Sequence, residues 1–198
     1  MDDLDPVRRL CVAVEADSSE GEPEGEDAAT SRTGDAHPSG PLVDLAERAS
    51  MAAGLDQVAF QVQPAGVLLV LNSGVNEPRV VVDLTRELHN GLWRRNRRQA
   101  GTRLRCRVAF HQGLVRLTDE GFEGQAVTVV GDLCASEHLR AELGASPRSD
   151  LAMIISGQLL DELAYPESAD LHRRQFRPVT VTLTAARSMP AYVYALGG

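Results

Sequence analysis

Glu15, Asp17 and His111 are the residues of this sequence whose type and position could support chemistry. Glu15 and Asp17 lie two residues apart near the end of a predicted strand, so their carboxylates would share one face and could bind a metal ion together. The alternative is that they begin the acidic segment that follows. His111 also lies on a predicted strand, where it is either a pH-sensitive ligand or a hydrogen-bonded structural histidine.

Several classes of enzyme are excluded because their residues are missing. The chain has no lysine, so its 20 strong bases are all arginine. This composition rules out a Schiff-base lysine and a phosphate-binding loop that depends on lysine. It is also typical of a GC-rich bacterial genome. No G-x-S-x-G, H-E-x-x-H or C-x-x-C motif occurs. Cys11, Cys106 and Cys134 are far apart, which predicts buried structural thiols rather than a zinc or redox site.

Charge and hydropathy limit the partners of the protein. The formal net charge is −8, which argues against nucleic acid and against an anionic membrane surface. No apolar run approaches the roughly 18 residues that a bilayer requires. The first residues are acidic and lack the layout of a signal peptide, so we expect a cytoplasmic protein. The single basic cluster, residues 93–99, is expected to end a helix, where the helix dipole favours cations.

Hydrophobic periodicity indicates the elements that must position these residues. With 198 residues, 43% of them hydrophobic, we expect one domain over residues 1–198, interrupted by a disordered acidic insertion at 18–40 whose removal should leave the melting temperature nearly unchanged. The predicted order is strand 8–16, helix 41–54, hairpin 57–72, helix 80–101, strand 103–111, a short returning strand 113–119, helices 125–136 and 137–144, strand 150–157, helix 158–165 opened by Ser156, and a closing strand pair within 177–196. This order predicts an α+β fold with a mostly antiparallel sheet.

Two stretches, "RVAFHQGLV" and "GFEGQAVTVVGDL", resemble the class III nucleotidyl cyclase homology domain. The resemblance spans roughly residues 9 to 196 and leaves the acidic insertion unmatched. It implies a ferredoxin-like, cyclase-type core with helices packed on the sheet. The matching positions are Arg107, Ala109, His111, Gly113 and Val115 on the strand, and Gly124, Ala126 and Val127 on the helix.

The same resemblance implies that the reactive groups of the family are missing here. Cyclases hold two metal ions with two aspartates, and those positions correspond to Ala13 and Ala65. The ribose-orienting asparagine corresponds to Thr128 and the transition-state arginine to Asp132. We therefore expect no metal, no cofactor and no catalytic residue. The vestigial cleft is predicted at Ala13, Glu15, Asp17, Ala65, Thr128 and Asp132.

These observations predict a catalytically inactive cyclase-like domain that acts as a regulatory or protein-interaction module in cytosolic signalling. A nucleotide or small-ligand sensor without turnover is one alternative, and an active cyclase that uses the displaced carboxylates Glu15 and Asp17 is another. Because cyclase domains pair head to tail, we expect a homodimer, with a further protein partner possible and no nucleic-acid or membrane contact. The candidate interface residues are Trp93, Arg94, Arg95 and Asp132.

Overall fold

The computed structural model describes residues 5–17, 40–98, 103–163, 175–184 and 187–197. These residues form strands and helices in an order close to the predicted one. The strands are β1 (Val7–Ala16), β2 (Val58–Gln63), β3 (Gly66–Leu71), β4 (Cys106–Thr118), β5 (Gly121–Glu123), β6 (Leu151–Ser156), β7 (Arg177–Thr182) and β8 (Ser188–Leu196). The helices are α1 (Gly40–Ala52), α2 (Glu77–Arg98), α3 (Gln125–Cys134), α4 (Glu137–Gly144) and α5 (Gly157–Leu163).

One mixed sheet organises the fold. Its strands lie in the order β2-β3-β1-β4-β6-β8-β7, and β5 pairs with β4 outside this path. The β4–β6 pair is parallel, whereas the other pairs are antiparallel. The mostly antiparallel α+β fold with a ferredoxin-like core is therefore confirmed.

Each face of the sheet is apolar and covered by helices. Alternation along β1 sends Leu10, Val12 and Val14 to the face covered by α1, α2 and α5. Cys11 and Ala13 point to the opposite face, which α3 and α4 cover. Every residue of β3 is buried, as a strand inside a two-sided sheet requires. None of the described helices is long and apolar enough to cross a bilayer.

The β2–β3 hairpin turns at Pro64 and Ala65, as predicted from the sequence. Gly66 follows the turn, and the first strand lies directly against its backbone. A Cβ atom on Gly66 would lie 2.0 Å from the Val14 carbonyl oxygen. Glycine at this position therefore lets the hairpin pack tightly onto β1, which brings the turn beside Glu15.

The prediction of a separate short strand at 113–119 is wrong. Residues 113–118 continue β4 without a break, because the apolar alternation runs on through Val115. The chain turns back only at Asp119 and Glu120, and β5 then pairs with the end of β4 through Gly121, whose φ is 120°. The long β4 positions its far end against β1 instead of forming a separate hairpin.

The acidic insertion lies almost wholly outside the described residues. Its last residue, Gly40, is described and is the first residue of α1. The prediction that deletion of residues 18–40 leaves the melting temperature unchanged remains a prediction. Ser156 directly precedes α5, as expected.

Candidate functional site

A cavity of ≈ 310 Å³ lies where β1, the hairpin turn and α3 meet. Ala13 and Ala65, which the sequence resemblance matches to the metal-binding aspartates of cyclases, both line it. Its other walls are mainly apolar, and the one carboxylate among them belongs to Glu15. The remaining lining residues are Gln63, Pro64, Val67, Leu68, Val127, Val130 and Gly131.

The strand register shows which residue of β1 lies beside the turn. Glu15 pairs with Gly66, the residue after Ala65, whereas Ala13 pairs with Leu68 farther along β3. Glu15 and Asp17 share the face of Ala13, since they follow it at intervals of two. Glu15 is therefore the carboxylate nearest the turn. The sequence resemblance had instead matched the metal-binding position of β1 to Ala13.

Glu15 is partnered by an arginine from the neighbouring strand. Arg107 Nη2 donates to Glu15 Oε2 at 3.1 Å, and the two side chains are only 5% and 16% exposed. Burial raises the pKa of Glu15, while the positive charges of Arg107 and Arg140 lower it. Arg107 Nη1 also donates to the carbonyl of Cys134. Arg107 therefore ties the end of β1 to the end of α3.

Asp17 forms a second pair of the same kind. Its backbone N–H donates to the Arg105 carbonyl at 2.8 Å, and its carboxylate lies 3.7 Å from Arg105 Nη1. Arg105 in turn donates to the carbonyls of Leu143, Ser146 and Ser149. Each of the two carboxylates is thus held by a buried arginine.

The cavity does not fit a divalent cation. Mg²⁺ and Mn²⁺ need several oxygen ligands, and the Ala13 and Ala65 side chains that line the cavity offer only methyl groups. The one carboxylate in the cavity, Glu15, is already neutralised by Arg107. Within the described residues, no group of three or more histidine, cysteine, aspartate or glutamate side chains is arranged to hold a metal.

Thr128 and Asp132 lie on α3 but point away from this cavity. The Thr128 hydroxyl is 3.5 Å from the Gly124 carbonyl, one turn back in the chain. The Asp132 carboxylate accepts from the Thr184 backbone N–H at 2.8 Å and from the Thr184 hydroxyl at 2.5 Å. The six predicted cleft residues are therefore not gathered in one cavity, because Asp132 lines a separate groove between α4 and β7.

His111 is a buried structural residue on the α3 side of the sheet. Its Nδ1 atom lies 2.9 Å from the hydroxyl of Ser156, and only 5% of His111 and 0% of Ser156 is exposed. Burial, aided by the charge of Arg8, lowers the pKa of His111 to about 4. This geometry favours the hypothesis that His111 is a hydrogen-bonded structural histidine, since no substrate could reach His111 and Ser156.

The three candidate interface residues of α2 lie on the other side of the sheet. Trp93 is 50% exposed, and the guanidinium of Arg97 lies over its ring, 4.6 Å from the ring centroid. Arg94 and Arg95 line a groove between α1 and α2. Asp132, on the opposite layer, is separated from them by the sheet. Any contact between Asp132 and these arginines would have to come from a second copy of the chain.

Comparisons with known proteins agree with this architecture. No protein-family model and no curated protein matches the sequence significantly. Among solved structures, an adenylate/guanylate cyclase/hydrolase from Silicibacter pomeroyi aligns with a TM-score of 0.57 at 16% identity, covering 96% of this chain and 99% of that one.

Two further structures align over nearly their whole length. The adenylyl cyclase CyaB from P. aeruginosa aligns with a TM-score of 0.56 at 13% identity over 98% of this chain and 97% of that one. A dimeric guanylyl cyclase domain of the RhoGC fusion protein from Blastocladiella emersonii has a TM-score of 0.56 at 12% identity over 99% and 97%. This chain therefore has the fold of the adenylyl and guanylyl cyclase homology domains.

Proposed function

We propose that this chain is a catalytically inactive cyclase-like domain that acts as a regulatory or protein-interaction module. The observation that carries the proposal is the cavity where a cyclase would hold its metals. It is walled by the methyl groups of Ala13 and Ala65, and its single carboxylate, Glu15, is bound to Arg107. A fold of this kind that keeps its shape without its metal ligands is suited to binding rather than to turnover.

Cyclisation of a nucleoside triphosphate requires cations that neutralise the phosphates and activate the attacking hydroxyl. A displaced site built from Glu15 and Asp17 would have to break both arginine pairs to release two carboxylates. Buried ion pairs are costly to separate, because each charge then loses its partner in a weakly solvated place. The arrangement therefore supports an inactive domain over an active cyclase.

We expect no cyclic nucleotide from ATP or GTP in the presence of Mg²⁺ or Mn²⁺. Chromatography of overnight reactions at micromolar protein would detect even slow turnover, with an active cyclase as the positive control. The informative variants are Glu15→Gln and Asp17→Asn, and Asp44→Asn on the opposite face serves as the matched control. Product that is formed by the unmodified chain and lost in Glu15→Gln or Asp17→Asn alone would show that the displaced carboxylates are catalytic.

The nucleotide-sensor alternative can be separated in the same samples. The cavity is mainly apolar, and its nearest cation, Arg107, is occupied by Glu15, so it offers little to a triphosphate. A purine nucleotide at 100 times its Kd would stabilise the fold by about 2.7 kcal/mol. A thermal shift of that size, abolished by a bulky substitution such as Ala65→Leu, would favour the sensor.

We further propose that the domain forms a homodimer. The guanylyl cyclase domain from Blastocladiella, which has the same fold, occurs in crystals both as a non-canonical dimer and as a monomer, so the fold is compatible with this assembly. The residues of β3 are all buried and leave no apolar face for a partner, whereas Val62, Leu114 and Leu117 are 59%, 57% and 47% exposed. Large apolar side chains that are this exposed to solvent are typical of a subunit interface.

Light scattering at micromolar concentration is expected to give twice the mass of one chain. Leu114→Ser with Leu117→Ser should shift the mass toward the monomer if the interface lies at the end of β4, and Trp93→Ser should do so if it lies on α2. Met51→Ser removes an even more exposed apolar side chain from α1 and is the control. A monomer mass for the unmodified chain at every concentration would rule out the homodimer.

A further inference from the structure

A groove lies between α1 and α2, on the opposite side of the sheet from the Ala13 cavity. Its volume is ≈ 560 Å³, within the range of small-molecule sites. The two helices approach closely at its floor, where a Cβ atom on Gly91 would lie 2.5 Å from Leu45 Cδ1. The groove thus has a firm apolar base formed by two packed helices.

Four arginines converge on this groove from both helices. Arg48 comes from α1, and Arg94, Arg95 and Arg98 come from the C-terminal part of α2. The dipole of α2 favours cations near its end, but it does not account for the arrival of Arg48 from another helix. Convergence of this kind concentrates positive charge in a chain whose net charge is −8.

The four guanidinium groups are also unpaired in the part of the chain that the structure describes. Arginines elsewhere in the fold have partners: Arg8 donates to Glu162, Arg103 to Asp150 and Arg177 to Glu142. None of the four groove arginines forms a comparable hydrogen bond or ion pair with the described residues, although the carboxylates of Asp44 and Glu87 also line the groove and Glu87 is itself paired with Arg86. Within the described residues, the charges of these four arginines are therefore not neutralised by a direct partner.

One nitrogen of Arg95 is buried without an acceptor. Arg95 Nη1 is inaccessible to solvent and has no hydrogen-bond partner within the described structure. A buried N–H group without a partner is costly, so such groups are usually satisfied by a ligand, an ion or ordered water. A planar guanidinium offers paired donors that match the oxygens of a phosphate group.

We propose that the α1–α2 groove binds a phosphorylated small molecule through Arg48, Arg94, Arg95 and Arg98. The arginines hold the phosphate oxygens. The carboxylates of Asp44 and Glu87 accept hydrogen bonds from hydroxyl or amino groups elsewhere on the ligand. The site lies apart from the Ala13 cavity, so it does not depend on whether the domain turns over nucleotides.

Isothermal titration of the full chain with sodium tripolyphosphate at low ionic strength tests this site. Saturable binding is expected, and Arg48→Gln, Arg94→Gln and Arg98→Gln should each weaken it by roughly tenfold, since each removes a charge-assisted contact. Arg148→Gln and Arg187→Gln remove equally exposed charges outside the groove and should leave the affinity unchanged within about twofold. Thermal melts of every variant establish that it is folded.

Three outcomes would overturn the proposal. The first is the absence of saturable binding, and the second is an equal loss of affinity in the groove variants and the Arg148 and Arg187 controls, which would indicate non-specific charge attraction. The third is binding of polyglutamate that competes with tripolyphosphate and is lost in the same groove variants. That result would assign the groove to an acidic polypeptide instead of a phosphorylated small molecule.

Discussion

Replacing Arg107 by methionine is expected to lower the free energy of unfolding by about 3 kcal/mol. The substitution keeps much of the side-chain volume but leaves Glu15 in a weakly solvated place without its cation. It also removes the donors to the carbonyls of Cys134 and Ala16. Breaking one side of a buried ion pair costs more than the pair itself contributes, because the remaining charge must be protonated or resolvated. Urea unfolding monitored by circular dichroism would measure the change.

A double-mutant cycle separates the ion pair from the packing of Arg107. Glu15→Leu alone should cost less than Arg107→Met, since the arginine keeps its carbonyl acceptors. The combined Glu15→Leu and Arg107→Met variant should be more stable than the sum of the two losses predicts, by about 1 kcal/mol or more. Additive losses would mean that Glu15 and Arg107 do not interact energetically and that Glu15 is free for another role.

Lowering the pH from 7 to about 4 is expected to reduce the stability of the fold by about 3 kcal/mol through His111 alone. Its pKa falls from the ordinary value of 6.5 to about 4 on folding, mainly through burial and secondarily through the charge of Arg8. Between these two pKa values, His111 therefore binds a proton in the unfolded chain but not in the folded chain. Stability is complete above pH 6.5 and is lost progressively as the pH falls toward 4.

The matched variant is His111→Asn, which cannot gain the charge and can still hydrogen-bond to the Ser156 hydroxyl. Its unfolding free energy, measured in urea at several pH values, should fall less steeply with acid than that of the unmodified protein. Burial raises the pKa values of Glu15 and Glu77, which acts in the opposite direction, but both proteins share that contribution. His138→Asn, at an exposed histidine, is the control. Parallel pH curves for the unmodified protein and His111→Asn would show that His111 does not titrate as a buried group.

Much of the fold was predictable because its signals are local. The alternation of Leu10, Val12 and Val14 indicated β1, and the spacing of Leu84, Leu88 and Leu92 indicated α2, with all of these residues now 1% exposed or less. Such periodicities reflect which side of one element meets the core, so they can be read without knowing its neighbours. The end of β4 was misjudged because residues 113–119 were predicted as a separate returning strand, whereas the turn lies later in the chain, next to Gly121 with its positive φ.

The sequence by itself also determined which side chains are present. Alanine at positions 13 and 65 and the absence of lysine are fixed before the chain folds, and folding cannot add a carboxylate or an amine that the chain does not contain. The cyclase-like fold was implied by the resemblance of the residues around His111 to the cyclase family, because those residues cover one strand and one helix start in chain order.

The tertiary structure alone decided which side chains lie within contact distance of each other. Glu15 and Arg107 are 92 residues apart, and only the register of β1 against β4 brings them together. The pairing of His111 with Ser156 depends likewise on the parallel contact of β4 and β6, and the arginine groove depends on the packing of α1 against α2. A sequence lists charges and donors but not the distances between them, and these distances set whether a carboxylate is free to bind a metal or is already held by an arginine.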